Sequence, residues 1–173
     1  MQITPDQAVF LLQSILPSLE NEHRLTTKLL KAVPSDKASY KPDQNSMSAF
    51  DLAWHIAASE TRFLRSLPAG EFYTGPIERV QTMDEVVEFY VSNFKQDLAA
   101  IKAMTGVQLA KIIDFRGLFQ LPAVAYITFS TSHIIHHRGQ LSVYLRPMGA
   151  KVPSMYGESF DDIQARLAAT SAN

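Results

Sequence analysis

Residues 132–141 read SHIIHHRGQL and place three of the chain's five histidines, His133, His136 and His137, within five positions. Imidazole is the commonest metal ligand in proteins, so metal binding is the first chemistry this spacing raises. On a helix, positions four apart lie on one face a turn apart. His133 and His137 can therefore grip one ion, whereas His136 lies about 100° from His137 around the axis and does not converge with both. Two imidazoles leave a site incomplete, because catalytic zinc commonly takes three protein ligands and keeps a position open. His55, in DLAWHIAASE beside Trp54 and Ile56, has the partly buried helical setting of a third ligand. His23, in the polar stretch NEHR, reads as surface. Spacing alone leaves an alternative open: such histidines can be satisfied by a carboxylate or a helix dipole instead of a metal.

Neighbouring residues supply the candidates for catalysis. Ser130, His133, His137, Gln140 and Tyr144 share roughly one side of the same helix. Gln140 and Tyr144 can orient a substrate by hydrogen bonds, or Tyr144 can simply pack. Glu60 follows His55 by five residues and is either a general base, an acceptor for an imidazole N–H, or a solvated surface acid, with the last favoured. Arg138 suits a local salt bridge or cap, and Gly139 suits a close helix approach.

These side chains need long helices to hold them. Apolar residues recur at helical spacing through residues 5–33, from Val9 and Leu12 to Leu29 and Val33. Pro5 fits a first turn, and Pro17 predicts a kink rather than a stop. A second helix begins near Ser46 or Ser48, carries Leu52, Ile56, Phe63 and Leu67, and ends at Pro68 and Gly70. Thr82-Met83-Asp84-Glu85 forms a capping box for a third helix that stops at Gly106. Residues 107–121, VQLAKIIDFRGLFQL, predict a short hairpin or an irregular crossover. Pro122 then starts a fourth helix that closes at Pro147-Met148-Gly149, and the tail holds a loop and one short final helix. Four long amphipathic segments predict an all-α four-helix bundle, with residues 1–173 as a single domain.

Composition narrows the function. Sixteen Lys+Arg against seventeen Asp+Glu give a formal net charge of -1, too little field for a nucleic-acid binder. The absence of cysteine excludes a disulfide scaffold, a thiolate metal site and a cysteine nucleophile. No apolar stretch reaches the roughly 20 residues that span a bilayer, and the start MQITPDQAVF does not read as a signal peptide. A soluble, cytoplasmic protein is expected.

Taken together, HIIHHRGQLSVYLRPMGAKVPSMYG and WHIAASE resemble the two signatures of the DinB/YfiT-like family, and the resemblance spans almost the whole chain. It implies a four-helix bundle with a long connection between helices 2 and 3, a homodimer, and a divalent metal, zinc or nickel, on three histidines. Matched residue by residue, these fall on His55, His133 and His137, while His136 takes a position that is not a ligand. Related bundles include bacillithiol-using thiol transferases and a mycothiol-dependent maleylpyruvate isomerase. The expectation is a metal-dependent enzyme that activates a low-molecular-weight thiol or a water, toward transfer or hydrolysis of a small-molecule substrate. The alternative is a non-catalytic bundle that binds metal or a small ligand.

Overall fold

The computed structural model describes residues 2–171. The first helix, α1 (Pro5–Leu30), opens on a reciprocal capping box between Thr4 and Gln7, with Pro5 where its missing N–H costs nothing. It runs through Pro17 without a break. In α2 (Ala49–Ala69) the Ser48 side chain caps the N-terminus, and Gly70 at φ 68° ends the helix in the left-handed conformation that glycine adopts without strain. Thr82 and Glu85 cap α3 (Met83–Lys102) as the sequence predicts. That helix stops at Lys102, however, and Gly106 opens a short helix, α4 (Gly106–Ala110), with its own Thr105–Gln108 box.

The ambiguous stretch is a hairpin. Strands β1 (Ile112–Phe115) and β2 (Phe119–Pro122) pair antiparallel, with Ile113 opposite Leu121. Arg116 at φ 54° and Gly117 at φ 76° make the reversal, and Asp114 Oδ2 accepts from the Gly117 N–H at 2.7 Å. Pro122 ends the second strand and does not start a helix; α5 (Ala125–Leu145) begins three residues later. A final helix, α6 (Phe160–Ser171), follows the tail loop.

Helix α2 packs on α3 and α5, and α1 packs on α5 and α3, which makes the four long helices a closed bundle. One apolar cluster centres on Leu29, Leu52, Ile56, Val86, Tyr90 and Leu141. The other joins α1 and α2 to the hairpin through Leu12, Leu64, Ile113 and Ile127. Between α2 and α3 lies the long connection that the resemblance implies, residues 70–82. Among the described residues, no helix is long and apolar enough to cross a membrane.

Polar side chains inside the bundle correct three readings. His23 is buried, not surface: its ring is stacked against Phe94 and Tyr90, and its Nδ1 lies 2.9 Å from Glu60 Oε2. Glu60 is likewise no solvated acid, being 3% exposed and also accepting from the Tyr90 hydroxyl at 2.8 Å. Each polar group satisfies the other, which removes most of the cost of burial. Arg138 does not act locally either. It reaches across to α1, where its guanidinium meets Glu22 Oε2 at 2.6 Å and donates to Thr26 Oγ1 at 3.2 Å. Nor does Gly139 mark a close approach, since a Cβ built on it would meet nothing within 4 Å.

Candidate metal centre

The buried stripe of α5 runs Ile127, Ser130, Ile134, Arg138, Leu141 and Leu145. His133 and His137 each precede a stripe residue, so they stand on its flank, about 100° from the core direction, and are half-buried. His136 sits a further turn of the wheel away and is exposed. On α2 the stripe includes Leu52, Ile56, Glu60, Phe63 and Leu67, and His55 precedes Ile56 in the same way. The contact between α2 and α5 therefore brings these flanks together.

The result is a three-histidine cluster. One ring nitrogen from each of His55, His133 and His137 lies within 4.8 Å of the other two. His55 Nε2 and His137 Nε2 are 3.1 Å apart, close to the edge of about 3.3 Å between ligand atoms in a tetrahedral zinc–imidazole site. Gln140 Oε1 lies 2.7 Å from His137 Nδ1, which fixes that ring and leaves its Nε2 turned to the other histidines. The Phe63 ring stands edge-on to His133, with centroids 5.6 Å apart. Among the described residues, buried His133 Nδ1 has no hydrogen-bond partner, and neither has Ser130 Oγ three residues before it.

Electrostatics keep the rings neutral. Burial, together with the charges of His137, His55 and His136, brings His133 down to about 4. Burial also lowers His55, helped by His137, and lowers His137 against the opposing Gln140 hydrogen bond. Neutral imidazoles offer their lone pairs, and a metal ligand must be deprotonated. Three convergent neutral nitrogens, one of the rings carrying a buried nitrogen that nothing satisfies, fit a divalent ion. This cluster can coordinate one.

Two cavities flank the histidines. The larger, about 680 Å³, is lined by His55 with Trp54, Ser59, Arg62, Arg79 and Lys41 among others. The second, about 500 Å³, lies on the His137 side and is mostly apolar, with Leu52, Val143 and Tyr144. Ser46 and Met47 border both. Of the three catalytic candidates, Gln140 and Tyr144 line the second cavity, whereas Glu60 bonds to His23 and Tyr90 in the bundle interior. Arg62 was not singled out by sequence, yet it lies seven residues after His55, on the same helix face. That period was the available signal.

Comparison with known proteins agrees with the geometry. Residues 8–170 match the model of the DinB family. The Bacillus subtilis protein YjoA is 30% identical over 130 residues, spanning 73% of this chain and 84% of its own. A second Bacillus subtilis protein, YrdA, is 27% identical over 158 residues, 87% of this chain and 91% of its own. The crystal structure of YjoA, described as DinB-like, superposes with a TM-score of 0.70 at 27% identity and covers 84% of this chain and 99% of that one. A DinB-like protein from Bacillus cereus shares the fold, with a TM-score of 0.72 at 24% identity over 83% of this chain and 97% of that one. A family match over residues 8–170, two relatives aligned over most of their length and a common helical bundle lead to one conclusion: the chain belongs to the DinB family.

Proposed function

We propose that the protein is a divalent-metal-dependent enzyme in which His55, His133 and His137 hold the ion and a small molecule enters beside them. The observation that carries this reading is the convergence of three neutral ring nitrogens at the junction of two cavities. An ion of the zinc or nickel type would supply Lewis acidity, lowering the pKa of a coordinated thiol or water. The chain's own residues do the rest. Gln140 orients His137, Phe63 and the neighbouring apolar side chains keep water from His133, and Trp54 walls the larger cavity. Tyr144 lines the second cavity, and its role in this reading is to orient a substrate by a hydrogen bond.

The favoured reaction is transfer of a low-molecular-weight thiol to an electrophile. With no cysteine in the chain, the reacting sulfur must arrive on a cosubstrate. Hydrolysis at the same centre is the second reading, because the same site would activate water. We place the protein in the cytoplasm as a single-domain homodimer, a setting that suits a cysteine-free chain and a small-molecule thiol.

Metal analysis of protein purified without a histidine tag tests the core of the proposal. We expect near-stoichiometric divalent metal in the parent and in His136→Ala, and its loss in His55→Ala, His133→Ala and His137→Ala. Retention by all three variants would refute the site. Incubating loaded protein with thiols and an electrophile then separates the reactions, since thiol-independent turnover favours hydrolysis.

A further inference from the structure

The larger cavity has a charge character that the proposed function does not require. The chain as a whole is near neutral, at -1, yet this cavity gathers Lys41, Arg62 and Arg79 against one acid, Asp51. Arg79 is paired with Asp51 and lies over the Phe50 ring, 5.1 Å from its centroid. Arg62 differs. Its Nη1 donates to the Tyr73 carbonyl at 3.0 Å and reaches the Gly75 carbonyl at 3.5 Å, so neutral oxygens hold it in place without cancelling its charge. Among the described residues, neither Arg62 nor Lys41 has a carboxylate within salt-bridge distance.

Position adds to charge. His55, Ser59 and Arg62 follow one another at i, i+4 and i+7 on one face of α2, and all three line the cavity. Two helical turns separate the Cα atoms of His55 and Arg62 by about 10 Å. Arg62 is half-buried, which weakens solvent screening of its charge. A guanidinium fixed by carbonyls on one side, with donors remaining, is suited to receive an oxyanion.

We infer that the cavity selects a small molecule carrying a compact anionic group, carboxylate or phosphate, which Arg62 receives while the reactive end of the molecule lies at the histidines. This deepens the proposed function and rests on it for the placement of the reactive end. Arg62 is thus a specificity residue, and Lys41 at the rim adds long-range attraction.

The test is calorimetric titration of zinc-loaded protein with three thiols of similar length: 3-mercaptopropionate, 2-mercaptoethylphosphonate and the neutral 3-mercaptopropionamide. We expect at least one anion to bind roughly tenfold more tightly than the amide, and the tighter of the two identifies the group. Arg62→Gln should abolish that preference while leaving the metal content unchanged. Arg62→Lys keeps the positive charge and should retain the preference. Equal affinity for all three thiols, or a preference that survives Arg62→Gln, overturns the inference. Metal content is measured on the same samples. Protein that binds no divalent ion would sink the proposed function instead, and a metal-free comparison of glutarate with glutaramide then still reads the anion preference and its dependence on Arg62.

Discussion

Asp97 carries two unequal oxygens. Oδ1 accepts from Arg65 Nε at 3.3 Å, whereas Oδ2 is buried and has no partner among the described residues. Burial pushes its carboxyl up to about 6, against the pull of Arg65. A carboxyl raised in the folded state binds protons more tightly there than in the unfolded chain. Between its ordinary value of 3.8 and about 6, stability therefore falls as pH rises, and the deficit is complete above that window. Asp97→Asn removes the charge but leaves one buried group unpartnered, as before. Urea unfolding should find the variant more stable by on the order of 1–2 kcal/mol at pH 8, with the gain shrinking toward zero near pH 4. An offset independent of pH would show that charge is not the cause. At this scale the three convergent histidines were legible, because helix periodicity and a buried neighbour locate a flank. His23 and Glu60 were not. Their sequence surroundings are polar, and burial depended on partners 37 residues apart in the chain.

Two glycines separate local backbone effects from packing. Among the described residues, a Cβ at Gly117 or Gly139 meets nothing within 4 Å beyond its own local backbone, so substitution there tests the backbone alone. Gly117 sits at φ 76° in the hairpin turn, where an L side chain costs roughly 1–2 kcal/mol. Gly139 lies in the interior of α5, where glycine is less favourable than alanine by about 1 kcal/mol. Thermal unfolding should thus show Gly117→Ala lowering the midpoint and Gly139→Ala raising it. Effects of the same sign would contradict the reading. The caps of α2 and α3 were readable because they are local, with side chain and N–H three residues apart. The hairpin was only half-readable. Its turn chemistry at Arg116-Gly117 was visible, but Gly106 and Pro122 each suit two roles, and only the tertiary contacts of α1 and α5 with this segment decide between them.

The whole molecule is held by its interior polar bridges as well as by its apolar clusters. Glu22 and Arg138 join α1 to α5, with side chains 10% and 4% exposed, and Tyr156 from the tail donates to Glu22 Oε2 at 2.8 Å. Removing one member of a buried pair strands the other charge, at a cost of about 3–5 kcal/mol. The exposed Lys102–Glu20 pair, half in solvent, is expected to contribute under about 1 kcal/mol. Chemical denaturation of Glu22→Ala and Glu20→Ala should show that contrast; equal losses would mean that Arg138 finds other partners. The helical bundle itself was predictable from the apolar periodicities of α1, α2 and α3, whereas α5 has almost none. The cavities were not, because their walls come from α2, α5, the loop before α2 and Arg79 of the connection after it, whose proximity no single segment encodes.

The buried side of α5 has a consequence for its other flank. Arg138 follows His137 directly, so the two point about 100° apart on a common cylinder. Arg138 is held by Glu22, Thr26 and Tyr156, and these contacts oppose a roll of the helix about its own axis. A roll of only about 10° would swing a side-chain tip, about 6 Å from that axis, through about 1 Å. Displacements of that size cost on the order of a hundredfold in rate at a reacting centre. The bridge to α1 thus works as a key in a slot: it sets the azimuth at which His133 and His137 meet His55.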